Sequence, residues 1–211
     1  MQARDMINKS PIKQRLPVYI LVDCSASMAG APLEAMNEAI HQCCRLLEAD
    51  ATTRSSVWIS IITFGTAAEQ TVPLTPLEHF QLPPLSAGGA SSLGMALRLL
   101  RLAADQEVNE RDWQPIVFVL TDGEPTDLWE PQARNIKIDI GKKWANVVVF
   151  ACGDHTQADT LYSLTDQVFS LSDITLSQLD TFFRWVPQDT QHATPAATQI
   201  DPLFQRVRSL L

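Results

Sequence analysis

Asp23, Ser25 and Ser27 form D-x-S-x-S directly after the apolar run Val18-Tyr19-Ile20-Leu21-Val22. One carboxylate and two hydroxyls are hard oxygen donors, suited to a cation such as Mg²⁺ rather than to ions that prefer thiolate or imidazole. The apolar run reads as a buried strand of a parallel sheet. The three oxygens then lie just past its C-terminal end, where open α/β sheets place their ligands. A second apolar strand, Pro115 to Leu120, runs into Thr121-Asp122-Gly123-Glu124-Pro125-Thr126-Asp127, a T-D-G-x-x-T-D pattern. Between them, Gly88 to Leu97 is a Gly-rich loop that supplies a hydroxyl, from Ser91 or Ser92, and opens an amphipathic helix. D-x-S-x-S alone is a common pattern; all three elements in this order are far more specific.

Each feature also has a duller reading. Asp23 or Asp122 alone would serve as a helix N-cap, where a carboxylate meets free N–H groups. Glu124 and Asp127 lie close enough to tune a bound ion or to reach it through water, and are otherwise solvated loop residues. Trp129 follows in the same loop and either lines the ligand face or packs at the surface. His41, His79, His155 and His192 form no cluster and pair with no nucleophile. The Gly-rich loop lacks G-K-[ST] and is not a P-loop. Cys24, Cys43, Cys44 and Cys152 show no C-x-x-C and no zinc spacing, which reads as reduced thiols of a cytosolic protein.

Holding these oxygens in place needs a sheet with crossover helices. Strands are predicted at 16–23, 57–64, 68–72, 115–121, 147–151 and 168–171. Helices are predicted at 32–49, 92–105, 131–143, 156–164 and 175–186. Pro32 sits at the start of the first helix, whose inward face carries Leu33, Met36, Ala39, Ile40, Cys43 and Leu47. Leu93, Ala96, Leu97, Leu100 and Ala103 form the matching face of the second. The fold class is therefore α/β: a doubly wound, mostly parallel sheet with helices on both faces and one short antiparallel edge strand at 68–72. The stretch 73–87 reads as a Pro-rich surface connection. Residues 1–14 read as a loose leader, 15–187 as the domain, 188–199 as a flexible linker and 200–211 as an amphipathic helix.

A chain of 211 residues with 45% hydrophobic content has the size and composition of one globular domain. The balance of 16 basic and 24 acidic residues, a net charge of −8, argues against nucleic acid and anionic membranes as partners. No apolar run reaches membrane-spanning length, and the first residues lack the apolar core of a signal peptide, so a cytoplasmic location is expected.

The three loops resemble the metal-ion-dependent adhesion site of the von Willebrand factor type A domain. Within that superfamily the chain most resembles the bacterial TerY-type proteins of tellurite-resistance operons. Arg15-Leu16-Pro17-Val18-Tyr19, Ser60-Ile61-Ile62-Thr63-Phe64, Pro73 to Glu78, Phe80-Gln81-Leu82-Pro83, Ala151-Cys152-Gly153 and Phe182 to Val186 carry this likeness, which spans about residues 15 to 187. Carried over by position, the resemblance implies metal ligands at Asp23, Ser25, Ser27, Ser91 and Asp122. The family usually has Thr at the third hydroxyl; Ser91 keeps the hydroxyl but lacks the methyl that stiffens χ1. Ser92 takes this role if the loop is shifted by one.

The resemblance implies Mg²⁺, with Mn²⁺ as the alternative ion, and a protein partner that offers Glu or Asp to it. It further implies a cytoplasmic adaptor working with a protein kinase and a PP2C-type phosphatase. The competing reading is a Mg²⁺-dependent phosphatase or hydrolase with Asp23 as nucleophile, and a third is a metal-free structural copy of the domain. An aspartyl-phosphate enzyme needs a second Asp where this chain has Ser25, and a cationic phosphate clamp that the three loops lack. The expected class is a binding module rather than an enzyme.

Overall fold

The computed structural model describes residues 14–49, 51–152 and 158–170. Its sheet has six strands: β1 Leu16–Asp23, β2 Val57–Phe64, β3 Ala68–Pro76, β4 Ile116–Thr121, β5 Asn146–Ala151 and β6 Val168–Ser170. The helices are α1 Ala31–Ala49, α2 Ala51–Arg54, α3 Leu93–Glu107, α4 Glu130–Ile138 and α5 Ala158–Tyr162. The strand order is β3-β2-β1-β4-β5-β6, with β3 antiparallel to β2 and every other pair parallel. The order reverses between β1 and β4, so the ends of these neighbouring strands flank the crevice where such sheets bind ligands.

Every residue of β1 is buried, as a strand covered on both faces must be. Its side chains alternate between two cores. Val18, Ile20 and Val22 face a core with Met36, Ile40, Cys43 and Leu47 of α1. Tyr19 and Leu21 face a second core with Leu93, Ala96, Leu97 and Leu100 of α3 and Ala133 and Ile136 of α4. α3 begins one residue later than the periodicity predicts and buries each of the residues expected on its inward face.

The larger differences from the sequence reading lie at β3 and α4. β3 continues to Pro76, through residues expected to form a surface connection. It is an edge strand, so a proline without an N–H forfeits no second ladder. The register shifts between Ile59 and Ile62 accommodate the irregular pairing. α4 stops at Ile138 instead of running to 143, because Gly141 takes a positive φ of 77° and the Asp139 carbonyl gathers the N–H groups of Lys142, Lys143 and Trp144. That turn delivers Trp144 fully buried into the second core. α5 ends at Tyr162, two residues before the expected end. Residues 1–13 of the predicted N-terminal segment 1–14, the helix 175–186, the linker 188–199 and the tail 200–211 lie outside the described residues. No helix among the described residues is long and apolar enough to cross a membrane.

At the opposite end of the sheet from the Asp23 loops, Arg15 ties the start of β1 to the α3–β4 loop. Its Nε donates to Asp112 Oδ1 at 2.8 Å, and one Nη donates to Asp112 Oδ2 and, at 2.9 Å, to the Glu107 carbonyl. The guanidinium also lies 4.6 Å from the Trp58 ring centre. Burial alone would push the Asp112 carboxyl upward. The Arg15 guanidinium and the Asn109 N–H outweigh it and hold the group below the ordinary value of 3.8. A depressed folded value means the pair stabilises the fold above the ordinary aspartate range, and that this is lost as pH falls through the folded value. Arg15→Ala is therefore expected to cost about 2–3 kcal/mol at pH 7, with the gap from wild type closing as pH falls below the ordinary aspartate range. Urea unfolding at pH 7 and below that range checks this; a gap independent of pH would mean that Arg15 acts by packing alone.

Candidate metal centre

Three chain segments meet at the C-terminal ends of β1 and β4. The first follows β1, where Ser25 and the single turn Ala26–Met28 come directly after the strand. The second is the Gly-rich loop before α3, and the third follows β4. Backbone bonds stitch them together. Gly88 N–H donates to the Cys24 carbonyl at 2.8 Å and Ala26 N–H to the Gly89 carbonyl at 3.1 Å. Thr126 N–H donates to the Ser91 carbonyl at 2.8 Å, and the Ser91 N–H returns a bond to Thr126 Oγ1 at 3.2 Å.

Asp23 is the hub. Its side chain is fully buried. Oδ1 accepts the Ser25 N–H at 2.8 Å. Oδ2 accepts the Thr121 hydroxyl at 2.6 Å and the Ser91 hydroxyl at 3.1 Å. One carboxylate thus joins all three segments. Among the described residues no Lys, Arg or His side chain pairs with it. Burial pushes its pKa above the usual carboxylate range, the Thr121 and Ser25 hydrogen bonds oppose that, and the charge of Asp122 adds to it. The same fields keep the neighbouring cysteines as thiols. Burial and then the Asp23 charge push Cys24 up to about 11, and burial with the charges of Asp23 and Asp122 pushes Cys152 up to about 12.

The hydroxyls of Ser25 and Ser27 lie 3.1 Å apart, with Ser25 buried and Ser27 exposed. Asp122 is half-buried, and its Oδ1 accepts the Glu124 N–H at 3.2 Å. Of the two candidate serines in the Gly-rich loop, Ser91 turns its hydroxyl onto Asp23. Ser92 turns away and donates to the Thr66 carbonyl at 3.0 Å.

The other residues singled out above take different places. Asp127 accepts the N–H groups of Gly94 and Met95, both at 3.0 Å, and so caps the start of α3 from a distant loop. Trp129 packs, partly buried, against the core beneath α3 and α4. Glu124 is exposed.

Two residues in the network went unassigned in the sequence. Thr121 makes the shortest bond to Asp23, and its Oγ1 also accepts the Gly123 N–H at 3.1 Å. Thr126 holds the Gly-rich loop through Ser91. Both are the threonines of T-D-G-x-x-T-D, so the signal lay inside the motif.

The donor chemistry fits a hard divalent cation. Among the described residues the buried carboxylate has no cationic partner, a second carboxylate stands half-exposed nearby, and three hydroxyls complete an all-oxygen set. Among the described residues no group of three or more His, Cys, Asp and Glu side chains is placed to hold an ion. A site here therefore depends on the serine oxygens.

Comparison with known proteins agrees with this architecture. The family model for the von Willebrand factor type A domain matches residues 18–124, from β1 to just past Asp122. A search of curated proteins by sequence finds no match. Among solved structures, proximal thread matrix protein 1 from the mussel byssus is 17% identical, with a TM-score of 0.58; the match covers 83% of this chain and 48% of that one. The chain thus spans about half the length of that protein. BatB from Bacteroides thetaiotaomicron is 15% identical with a TM-score of 0.57, covering 83% of this chain and 99% of that one. Manganese-loaded TRAP protein of Plasmodium vivax is 18% identical with a TM-score of 0.54, covering 70% and 61%. Likeness at these identities shows the fold.

Proposed function

The chain belongs to the von Willebrand factor type A domain family, and from that premise we propose that it is a metal-ion-dependent protein-binding module. Asp23, Ser25, Ser27, Ser91 and Asp122 would hold Mg²⁺ or Mn²⁺. Once bound, such an ion supplies positive charge and an open coordination position for a carboxylate from a partner protein. The observation that carries this reading is the fully buried Asp23, bonded to all three loops and, among the described residues, paired with no cation. Thr121 and Ser91 fix the orientation of that carboxylate, the kind of support that tunes a metal site from behind its ligands. Ser27 and Asp122 lie on the solvent side, where a partner arrives.

Binding is favoured over hydrolysis. Both oxygens of Asp23 accept hydrogen bonds, and the group is buried, which suits an orienting carboxylate and not an attacking one. The manganese-loaded relative lends support for a divalent ion in this family. The resemblance to TerY-type proteins narrows the reading further, to a cytoplasmic adaptor whose partners include a protein kinase and a PP2C-type phosphatase.

The test is a Mg²⁺ titration followed by intrinsic fluorescence. Asp122→Ala is expected to keep the wild-type circular dichroism spectrum and bind the ion about tenfold or more weakly. Ser92→Ala, whose hydroxyl faces Thr66, is expected to bind like wild type. Unchanged affinity in Asp122→Ala would remove this site.

A further inference from the structure

The segment from Asp127 to Trp129, which follows the Thr126 that bonds the Gly-rich loop, holds a large apolar side chain in solvent. Leu128 is 84% exposed, more than the other large hydrophobic side chains found exposed among the described residues. A single exposed leucine on a loose loop calls for no explanation. This one is not on a loose loop. Asp127 before it is bonded to two N–H groups of α3, and Trp129 after it is packed against the core. The backbone between them lies so close to α3 that a Cβ on Gly94 would stand 2.6 Å from the Leu128 carbonyl oxygen. The backbone that carries Leu128 is thus held on both sides.

Met95, 46% exposed, sits on the turn of α3 that Asp127 caps. The two apolar residues belong to the segments that Thr126 and Ser91 bind together, so they border the candidate centre. The charges around this border restrict what fits it. Glu124 and Glu130 are exposed on the same segment, and Asp127 is half-buried within it. A second acidic side chain on the partner would meet these carboxylates instead of the ion.

Building on the reading of the site given above, we propose that Leu128 and Met95 form an apolar rim that selects the residues flanking the partner's carboxylate. The partner segment is a protein strand or loop with one Glu or Asp next to aliphatic side chains, and not an acidic run. The carboxylate supplies attachment, and the rim supplies specificity by covering Leu128.

Acetylated heptapeptide libraries test this, with a central Glu or a central Gln and randomised flanks, selected on immobilised protein in Mg²⁺ and in EDTA. Wild type is expected to enrich Glu over Gln only in Mg²⁺, with Leu, Ile or Met at the adjacent positions and Asp and Glu depleted there. Leu128→Ser is expected to retain the Mg²⁺-dependent choice of Glu and lose the flanking preference. The best wild-type peptide should bind it about tenfold more weakly, as uncovering one aliphatic side chain would produce. Met95→Ser should weaken the same preference. Glu selection with random flanks, or a flanking preference unchanged in Leu128→Ser, overturns the rim while leaving the metal site standing. Absence of Glu selection, or selection that survives EDTA, overturns both.

Discussion

Asp23→Asn is expected to unfold in EDTA at a temperature equal to or above that of wild type, yet to gain nothing from Mg²⁺. The side chain is fully buried, and burial raises its pKa. The folded state therefore holds the proton more tightly than the unfolded state. The group's contribution to stability is greatest below the ordinary value of 3.8 and is lost as pH rises through the elevated folded value. Above that folded value the metal-free wild type carries the cost of a buried charge that its hydrogen bonds offset only in part. Asn removes that charge at nearly constant volume. Its oxygen can still accept the Ser25 N–H, and its amide can donate to the hydroxyls of Thr121 and Ser91 once they rotate to accept.

With the ion present the order reverses. An ion at one hundred times its dissociation constant adds about 2.7 kcal/mol to the state that binds it. For a domain of this size, each kcal/mol shifts the midpoint by roughly 2–4 °C. Differential scanning calorimetry in EDTA and in Mg²⁺ reads both effects. A variant that keeps the Mg²⁺ shift would place the ion elsewhere. A large loss of stability in EDTA would make Asp23 a structural keystone of the three loops.

Gly94→Ala is expected to destabilise the fold by about 2–4 kcal/mol and to weaken ion binding with it. In an open helix the same change would stabilise by about 1 kcal/mol, because Ala is the better helix former. Here the new methyl would stand 2.6 Å from the Leu128 carbonyl oxygen, 2.9 Å from Trp129 Cα and 3.0 Å from Asp127 Oδ2. Two of these are backbone atoms and cannot swing aside. Relief requires the third loop to leave α3. That breaks the Asp127 cap and pulls on the bonds between Thr126 and Ser91. Urea unfolding gives the sign directly, and a stabilised variant would show that the loop yields at little cost.

The parallel strands and the residues at their ends were legible in the sequence because their signal is local. Val18 to Val22 runs straight into Asp23, and Ile116 to Leu120 into Thr121 and Asp122. The helix at Leu93 was legible through its apolar period. What each carboxylate bonds to was not, because those partners lie far along the chain. Thr121 is 98 residues from Asp23, and Gly94 is 33 residues from Asp127. No short pattern separates an Asp that faces a cation from one that caps a helix belonging to another loop. Asp127 is such a cap, and Trp129 beside it packs inward where the sequence left both options open. The extension of β3 was hidden for another reason. Pro73 and Pro76 signal a loop, and only an edge position with one neighbouring strand accommodates them.

The central claim is that these loops hold a divalent ion, and isothermal titration of Mn²⁺ into wild type and Asp23→Asn tests it most directly. One ion per wild-type chain is expected, displaced by Mg²⁺, with binding lost or about one hundredfold weaker in the variant. Equal binding in the two proteins, or no saturable binding in wild type, would contradict a metal centre at Asp23.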